Sequence, residues 1–235
     1  MATITGKEIV DRAAIVLQDT TGVRWPQTDE LLLWLNDGQR EIVLRKPDAS
    51  ATNEVVALVQ GTLQSIPATG IQLLDVIRNM GVGGATPGRA ITRIDREILD
   101  EQRPNWHSET ASAETKHYMF DPRDPKHFFV YPPQHATPGK VTMVYAASPT
   151  DLADLETTTV ITLDDIYSGV LLDYILYRAY SKDADLTPTA PQRAVSHYNA
   201  FLASLGAKGQ IEQVVNPNAY DFKEAMEAKQ VGRGQ

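Results

Sequence analysis

Histidines are the side chains of this chain best suited to bind a metal ion. None of them has a second histidine or a carboxylate at the spacing of a helical metal pair. His117 and His127 could face each other across a predicted hairpin, but structural and catalytic zinc sites use three or four ligands. We therefore interpret these two as polar cross-strand neighbours and predict no metal site. The five histidines are His107, His117, His127, His135 and His197.

Residues 81–88 are rich in glycine, and loops of this composition can hold phosphate through backbone N–H groups. The segment lacks the Gly-Lys-Ser/Thr ending that supplies a cation and a magnesium ligand. It also does not lie plainly between a strand and a helix. We interpret it as a loop and predict no cofactor.

Two carboxylate pairs, Asp164-Asp165 and Asp183-x-Asp185, could act as acid and base if they met in a cleft. Simpler structural uses are available for both. The first suits the N-cap of a helix, and the second suits a polar helix exit. No Gly-x-Ser-x-Gly sequence marks a nucleophile. We predict no catalytic residue and expect that the protein is not an enzyme.

Aromatic residues in segments 116–120 and 127–131, with Lys116, Arg123 and Lys126, could form a stacking platform for single-stranded nucleic acid. Basic residues are sparse in this region, however, and tyrosine and phenylalanine in strands usually belong to the core. We predict that these segments form core or a subunit interface.

Composition narrows the possible partners. The 235 residues include 22 Lys and Arg against 30 Asp and Glu, for a net charge of -8 and no cysteine. An acidic chain grips nucleic acid poorly because phosphate neutralisation supplies most of that affinity, although it can surround DNA without holding it. The absence of cysteine excludes disulfides and thiolate metal sites. The sequence shows neither a signal-peptide pattern nor a membrane-spanning run, so we expect a soluble protein without membrane contact.

Helical patterns dominate the first 47 residues. Thr5 and Glu8 have the spacing of a capping box, and residues 19–22 are predicted to end the helix that follows. The predicted apolar stripe of this helix consists of Ile9, Val10, Ala13, Ala14, Val16 and Leu17. Trp25-Pro26 forces an extended turn, and a second helix is predicted from Thr28 to the Lys46-Pro47 stop. This part of the chain is typical of a helical hairpin.

The middle of the chain has strand-like patterns with long connections. Residues 54–60 and 63–66 are predicted to pair as neighbouring strands, and residues 95–102 to form a short helix. We expect one antiparallel sheet. Its further strands are predicted at residues 73–80, 116–120, 127–131 and 140–146, and Pro132-Pro133 closes the strand at residues 127–131.

Helices return near the C-terminus. Residues 166–180 are apolar almost all round, which indicates a central buried helix. The next helix has a predicted stripe of Val195, Tyr198, Leu202 and Leu205 and a predicted end at Gly206. The expected fold class is therefore α+β. It comprises a helical bundle (residues 1–48 and 160–206), a central antiparallel β-rich insertion (residues 49–159) and an extended C-terminal arm (residues 207–235).

The run Tyr-Arg-Ala-Tyr-Ser-Lys-Asp-Ala-Asp at residues 177–185 is the most distinctive stretch of the chain. Together with the helix after Pro191 and the opening hairpin with Trp25-Pro26 and Leu-Leu-Leu-Trp-Leu-Asn at residues 31–36, it resembles the tailed-bacteriophage head-to-tail adaptor (connector) family. The resemblance covers both helical ends well and the central β region loosely.

The resemblance implies a structural virion protein of the neck, assembled in the host cytoplasm. Such subunits form a ring, usually a dodecamer, that docks under the portal protein and offers a surface to the tail or nozzle protein. Double-stranded DNA passes through the ring without specific binding. In related adaptors a C-terminal segment inserts against the portal, and the matching portal-binding positions here would be Tyr220, Phe222 and Met226.

Three other functions stay open on the sequence alone. The chain could be another neck or tail-completion protein, bound one level lower in the particle. It could also be a non-virion scaffolding or binding module, or an enzyme with an unfamiliar site. The native mass of the protein, measured alone and with portal, distinguishes the adaptor from the scaffolding module, and a hydrolase screen tests the enzyme.

Overall fold

A computed structural model of the protein describes the backbone of residues 2–215 and the side chains of residues 2–206. The fold is mixed α+β, as predicted. Its contacts divide the chain into two compact units. The helical unit combines Met1–Gln39 with Asp151–Gln235, and the β unit comprises Arg40–Thr150.

The first helix, α1 (Gly6–Leu17), begins with the predicted capping box. The Thr5 hydroxyl accepts a hydrogen bond from the Glu8 N–H, and the Glu8 carboxylate accepts one from the Thr5 N–H. Gln18 adopts a left-handed conformation and ends the helix. The prediction that Val16 belongs to the buried stripe was wrong. Val16 is exposed because it lies just outside the face of α1 that is buried. The buried positions are Ile9, Val10, Ala13, Ala14 and Leu17.

The second helix is entered through a π-helical turn, Gln27–Leu31, and continues as α2 (Leu32–Arg45), which ends before Pro47 as predicted. Gly38 lets α2 approach a later helix closely. A Cβ at this position would lie 3.0 Å from Tyr174 Cδ1 and 3.2 Å from Leu171 Cδ2. A larger residue there would therefore push the two helices apart.

The last two helices are α4 (Ser168–Lys182), entered through a 3-10 turn (Asp165–Tyr167), and α5 (Ala190–Val215), which packs along α4. The short α3 (Arg96–Gln102) belongs to the β unit. Two predictions about α5 were wrong. The helix continues through Gly206, since one glycine costs only about 1 kcal/mol in a helix interior, and Val195 is exposed. The buried face consists of Ala190, Ala194, Phe201 and Leu205.

The β unit contains two sheets. The first has three antiparallel strands in the order β1-β7-β3, and the second has four strands in the order β2-β6-β5-β4. The strands are β1 (Ala51–Ala57), β2 (Gly61–Ser65), β3 (Gly70–Asn79), β4 (Thr92–Arg93), β5 (His117–Phe120), β6 (His127–Gln134) and β7 (Lys140–Ala147), and α3 (Arg96–Gln102) follows β4.

The strand pairing differs from the sequence prediction in three places. The strands β1 and β2 lie in different sheets and do not form a hairpin, and β4 pairs with β5 in parallel. The strand β6 also continues through Pro132-Pro133 to Gln134. The turn between β1 and β2 is held by Gln64, whose side-chain amide bonds the backbone of Val59 and Gly61. This clamp directs the chain into the second sheet.

A common core joins the two sheets. Leu73, Val76 and Met143 from the first sheet pack in one cluster with Phe128 and Val130 from the second. Beside this core, the buried side chain of Asn79 donates to the Arg89 and Thr115 carbonyls at 3.0 and 2.7 Å and accepts from the Thr115 N–H at 2.8 Å. Asn79 thereby links the end of β3 to the segments that precede β4 and β5.

We predict that Asn79→Ala lowers the free energy of unfolding by about 2–3 kcal/mol, because it leaves buried backbone groups of residue 115 without a partner. Chemical denaturation measures this loss. The matched control is Asn53→Ala, at an exposed position of β1, which we expect to change stability by less than about 0.5 kcal/mol. Equal effects of the two substitutions would contradict the role given to Asn79.

Candidate interaction sites

A cavity of about 270 Å³ lies in the helical unit beside the C-terminal end of α1. Its walls come from α1, from residues 18–26 and from the segment that joins α4 to α5. The lining includes Val16, Arg24, Trp25, Tyr180, Asp183 and Arg193. We call this cavity the helical-unit pocket.

Asp19 organises the loop that forms one wall of the helical-unit pocket. Its carboxylate accepts hydrogen bonds from the N–H groups of Val23, Arg24 and Trp25 at 3.1, 2.7 and 2.9 Å. These bonds, that from Trp25 foremost, hold the pKa of Asp19 below its ordinary value. The loop after α1 is therefore held by a charged side chain that accepts hydrogen bonds from three consecutive backbone N–H groups.

Arg24 and Asp183 form a bidentate ion pair in the same pocket. The Arg24 Nη2 lies 2.7 Å from Asp183 Oδ2, and Nε donates to Oδ1 at 3.2 Å. The Asp183 side chain is only 6% exposed, whereas that of Arg24 is 46% exposed. Asp183 lies at the exit of α4, as predicted, but its carboxylate turns inward and pairs with Arg24.

The rim of the pocket combines apolar and cationic groups. Val16 lines the pocket and is half exposed, and the strongly exposed Val23 and Leu186 are the sequence neighbours of the lining residues Arg24 and Thr187. The Arg193 guanidinium lies over the Tyr180 ring at 5.5 Å and makes no ion pair within residues 2–206.

Trp25 is buried in the wall of this pocket. It is 5% exposed, and its Nε1 has no hydrogen-bond partner among the described residues. A buried donor without a partner costs about 1–3 kcal/mol. The Arg24 guanidinium lies 4.8 Å from the Trp25 ring centroid, so the ion pair and the indole form one cluster.

Aromatic side chains line the contact between α4 and α5. The ring centroids of Tyr177 and Tyr198 lie 4.8 Å apart, and Tyr180 stacks on His197 at 5.7 Å. His197 Nδ1 lies 2.9 Å from the carboxylate of Asp173. The tyrosines of the most distinctive run thus hold the helix pair together, and His197 contributes to the same packing.

The two histidines considered as a metal pair are not opposite each other. Strand pairing sets His117 against Tyr131 and His127 against Ser65. Burial, with the nearby charges of Arg89 and Lys116, lowers the pKa of His117. Among the described residues, no three side chains that could bind a metal ion lie together.

Asp164 and Asp165 have separate structural roles. Asp164 accepts a hydrogen bond from the Ile166 N–H, as an N-cap does. Asp165 accepts from the Thr3 hydroxyl and from the N–H groups of Thr3 and Ile4. These bonds, that from the Thr3 hydroxyl foremost, lower the pKa of Asp165 and fasten the start of the chain to the helix entry.

The β unit has a second cavity, of about 340 Å³, where α3 meets the turn between β5 and β6. Met119, Phe120 and Phe129 supply apolar lining, and Asp121 and Arg123 form an ion pair with N and O 3.0 Å apart at its edge. The Arg123 side chain lowers the pKa of Asp121.

Phe128 and Tyr118 of the same strands are buried, so the aromatic strands form core as predicted. The glycine-rich segment 81–88 is a loop, also as predicted.

The net charge of the protein comes from one unit. The β unit carries 12 Lys and Arg against 12 Asp and Glu, while the remaining residues carry 10 against 18. The net charge of -8 therefore belongs entirely to the helical unit. The predicted portal-binding residues Tyr220, Phe222 and Met226 lie outside the described residues.

The family model described as SU10 adaptor protein matches residues 4–220. The chain belongs to the SU10 adaptor protein family. This membership confirms the resemblance to phage head-to-tail adaptors, and the match includes the β unit, where that resemblance was loose. None of the curated proteins compared with the chain matches it. Within the described residues, no helix is both long and apolar enough to cross a membrane.

Sequence reasoning missed the residues that build the helical-unit pocket. Arg24, Trp25 and Asp183 come from distant parts of the chain, and no local spacing connects them. One usable signal was the position of Asp183 inside the most distinctive run. A second was Asp19 directly after a predicted helix end, where a carboxylate often organises a turn.

We predict that Asp19→Asn destabilises the protein most at neutral pH. Because the pKa of Asp19 is lowered on folding, its contribution is fully present above the unfolded value of about 3.9 and is lost as the pH falls through the folded value. Denaturant unfolding from pH 7 to pH 2 should show the gap between wild type and variant closing below about pH 4. The exposed Asp185→Asn serves as control, and a gap independent of pH would contradict the assignment.

Proposed function

We propose that this protein is a head-to-tail adaptor subunit that assembles as a ring, docks under the portal, extends the DNA channel and presents an attachment surface to the tail. The observation that carries the proposal is the family match over residues 4–220. A dodecamer would match the portal symmetry, and the finished ring would reside in the neck of the virion. In this role the protein works through contact and has no catalytic step.

Surface composition supports assembly. Large apolar side chains are exposed on both units. In the helical unit these include Ile15, Leu33 and Ile166, and in the β unit Leu44, Val59 and Leu63. A closed ring buries unlike surfaces of each subunit against its neighbours, which would cover such groups.

The charge distribution supports the channel role. Within residues 2–39 and 151–206 the helical unit carries 14 acidic against 6 basic side chains. We propose that this acidic surface faces the channel. A basic wall would hold the packaged duplex through many phosphate contacts and slow its exit, whereas an acidic wall lets DNA pass without specific binding.

Native mass measurement with and without portal rings tests the proposal. We expect a fixed number of copies of the protein to bind each portal ring. The reason is that copies joined head to tail through unlike surfaces close into a ring of defined size. A control protein of similar size and charge should stay unbound. A stable monomer that ignores portal rings at all concentrations would contradict the adaptor function.

The C-terminal arm is proposed to carry portal binding through Tyr220, Phe222 and Met226. Since α5 extends to Val215, the informative truncation removes residues 216–235 and leaves the helix complete. We predict that the truncated protein keeps its thermal unfolding transition and loses portal binding. The triple substitution of the three side chains by alanine provides the matched full-length variant. Unchanged portal binding by both would contradict the role of the arm.

A further inference from the structure

The strand β1 has an open outer edge. It pairs with β7 on one side over seven consecutive residue pairs, without a bulge. In the part of the chain that the structure describes, no strand pairs with its other side. The backbone groups on that side therefore need water or another chain as hydrogen-bond partner.

The hydrogen-bond pattern shows which residues face outward. The Leu58 N–H donates to the Gly139 carbonyl, so Leu58 faces β7. Lys140 lies opposite Ala57. Its N–H donates to the carbonyl of residue 81, and its carbonyl accepts from the N–H of residue 80, so neither group bonds Ala57. Because orientation alternates along an antiparallel ladder, Asn53 and Val55, like Ala57, direct their backbone groups away from β7.

Nothing in β1 protects this edge. Proteins usually block an open strand edge with proline, lysine, a bulge or a very short strand. The sequence of β1, Ala-Thr-Asn-Glu-Val-Val-Ala, contains neither proline nor lysine, and the strand is seven residues long. Most of its residues are exposed, including Val55 at 40%. An edge of this kind readily accepts another strand.

The second open edge of the β unit belongs to β2. The two sheets are linked along β3 and residues 89–91, where the Ile91 N–H donates to the Ile77 carbonyl. This link leaves β1 and β2 as the terminal strands. The Ile66 N–H donates to the Lys126 carbonyl, so alternation directs the backbone groups of Leu63 outward. The Leu63 side chain is 50% exposed.

We infer that the outer edge of β1 pairs with the outer edge of β2 in a second copy of this chain. The inference rests on the proposed ring, because a head-to-tail ring needs two unlike surfaces on each subunit. Pairing of β1 with β1 would close a dimer instead. The exposed Val55 and Leu63 can cover each other across such a pairing.

Proline substitution tests the backbone contact directly. Val55→Pro removes an outward N–H and keeps the ladder with β7, because an edge strand tolerates proline where its N–H faces outward. We expect folded monomers and an assembled fraction reduced about tenfold or more at a fixed concentration. Asn53→Pro should act in the same way. The matched control Val55→Thr keeps the N–H and should assemble like wild type.

A mixture of two blocked variants tests which edges meet. Val55→Pro keeps the β2 edge open, and Leu63→Pro keeps the β1 edge open. Each variant should therefore be monomeric alone. In a mixture, the two should combine as a one-to-one heterodimer. Native mass spectrometry and sedimentation measure these species, and circular dichroism verifies folding. Leu63→Pro forming a dimer by itself would overturn the inference in favour of β1 pairing with itself.

The outcomes separate this inference from the proposed function. If the wild type forms rings and both proline variants at β1 form them equally well, the strand pairing is overturned and the adaptor function stays intact. Loss of assembly in Val55→Thr also overturns it, because the side chain would then carry the contact. Wild type that never assembles, even with portal rings, overturns both.

Discussion

The packing of α4 against α1, and against α2 at Gly38, holds the helical unit together. This unit is built from two chain segments on either side of the β unit, so they must be joined by contacts between distant residues. Gly38 provides space for Tyr174 and Leu171, and Asn36 pairs with the backbone of Leu152, 116 positions away. Gln39 accepts a hydrogen bond from the Thr162 N–H in the same region. Buried polar groups that are fully paired define one arrangement of the two segments.

That arrangement brings together side chains that come from different segments of the chain. With α4 fixed against α2, Asp183 at the end of α4 meets Arg24, and Tyr180 lies beside the start of α5. The ion pair is sensitive to loss of Arg24, because the Asp183 carboxylate, which is only 6% exposed, would be left without its counter-charge in a poorly solvated site. The helical-unit pocket is thus a consequence of helix packing.

Much of the fold follows from local rules, and the exceptions have physical reasons. The Thr5 capping box, the Pro47 stop and the β5–β6 hairpin depend on neighbouring residues, so sequence patterns predict them. The assignment of β1 and β2 to different sheets depends on Gln64 clamping the turn, which spacing does not show. The Arg24–Asp183 pair and the separation of His117 from His127 depend on tertiary packing and strand register. For the same reason the pocket residues were not predictable, whereas the absence of a metal or nucleotide motif was visible in the sequence.

Acidic charge on the helical unit and open strand edges on the β unit give the two units different roles in the proposed ring. The first would face DNA, and the second would join neighbouring subunits. Electron cryomicroscopy of the protein bound to its portal would show both roles at once. We expect a closed ring under the portal whose channel wall is lined mainly by acidic side chains of the helical unit. A predominantly basic channel wall, or protein that binds without forming a ring, would contradict it.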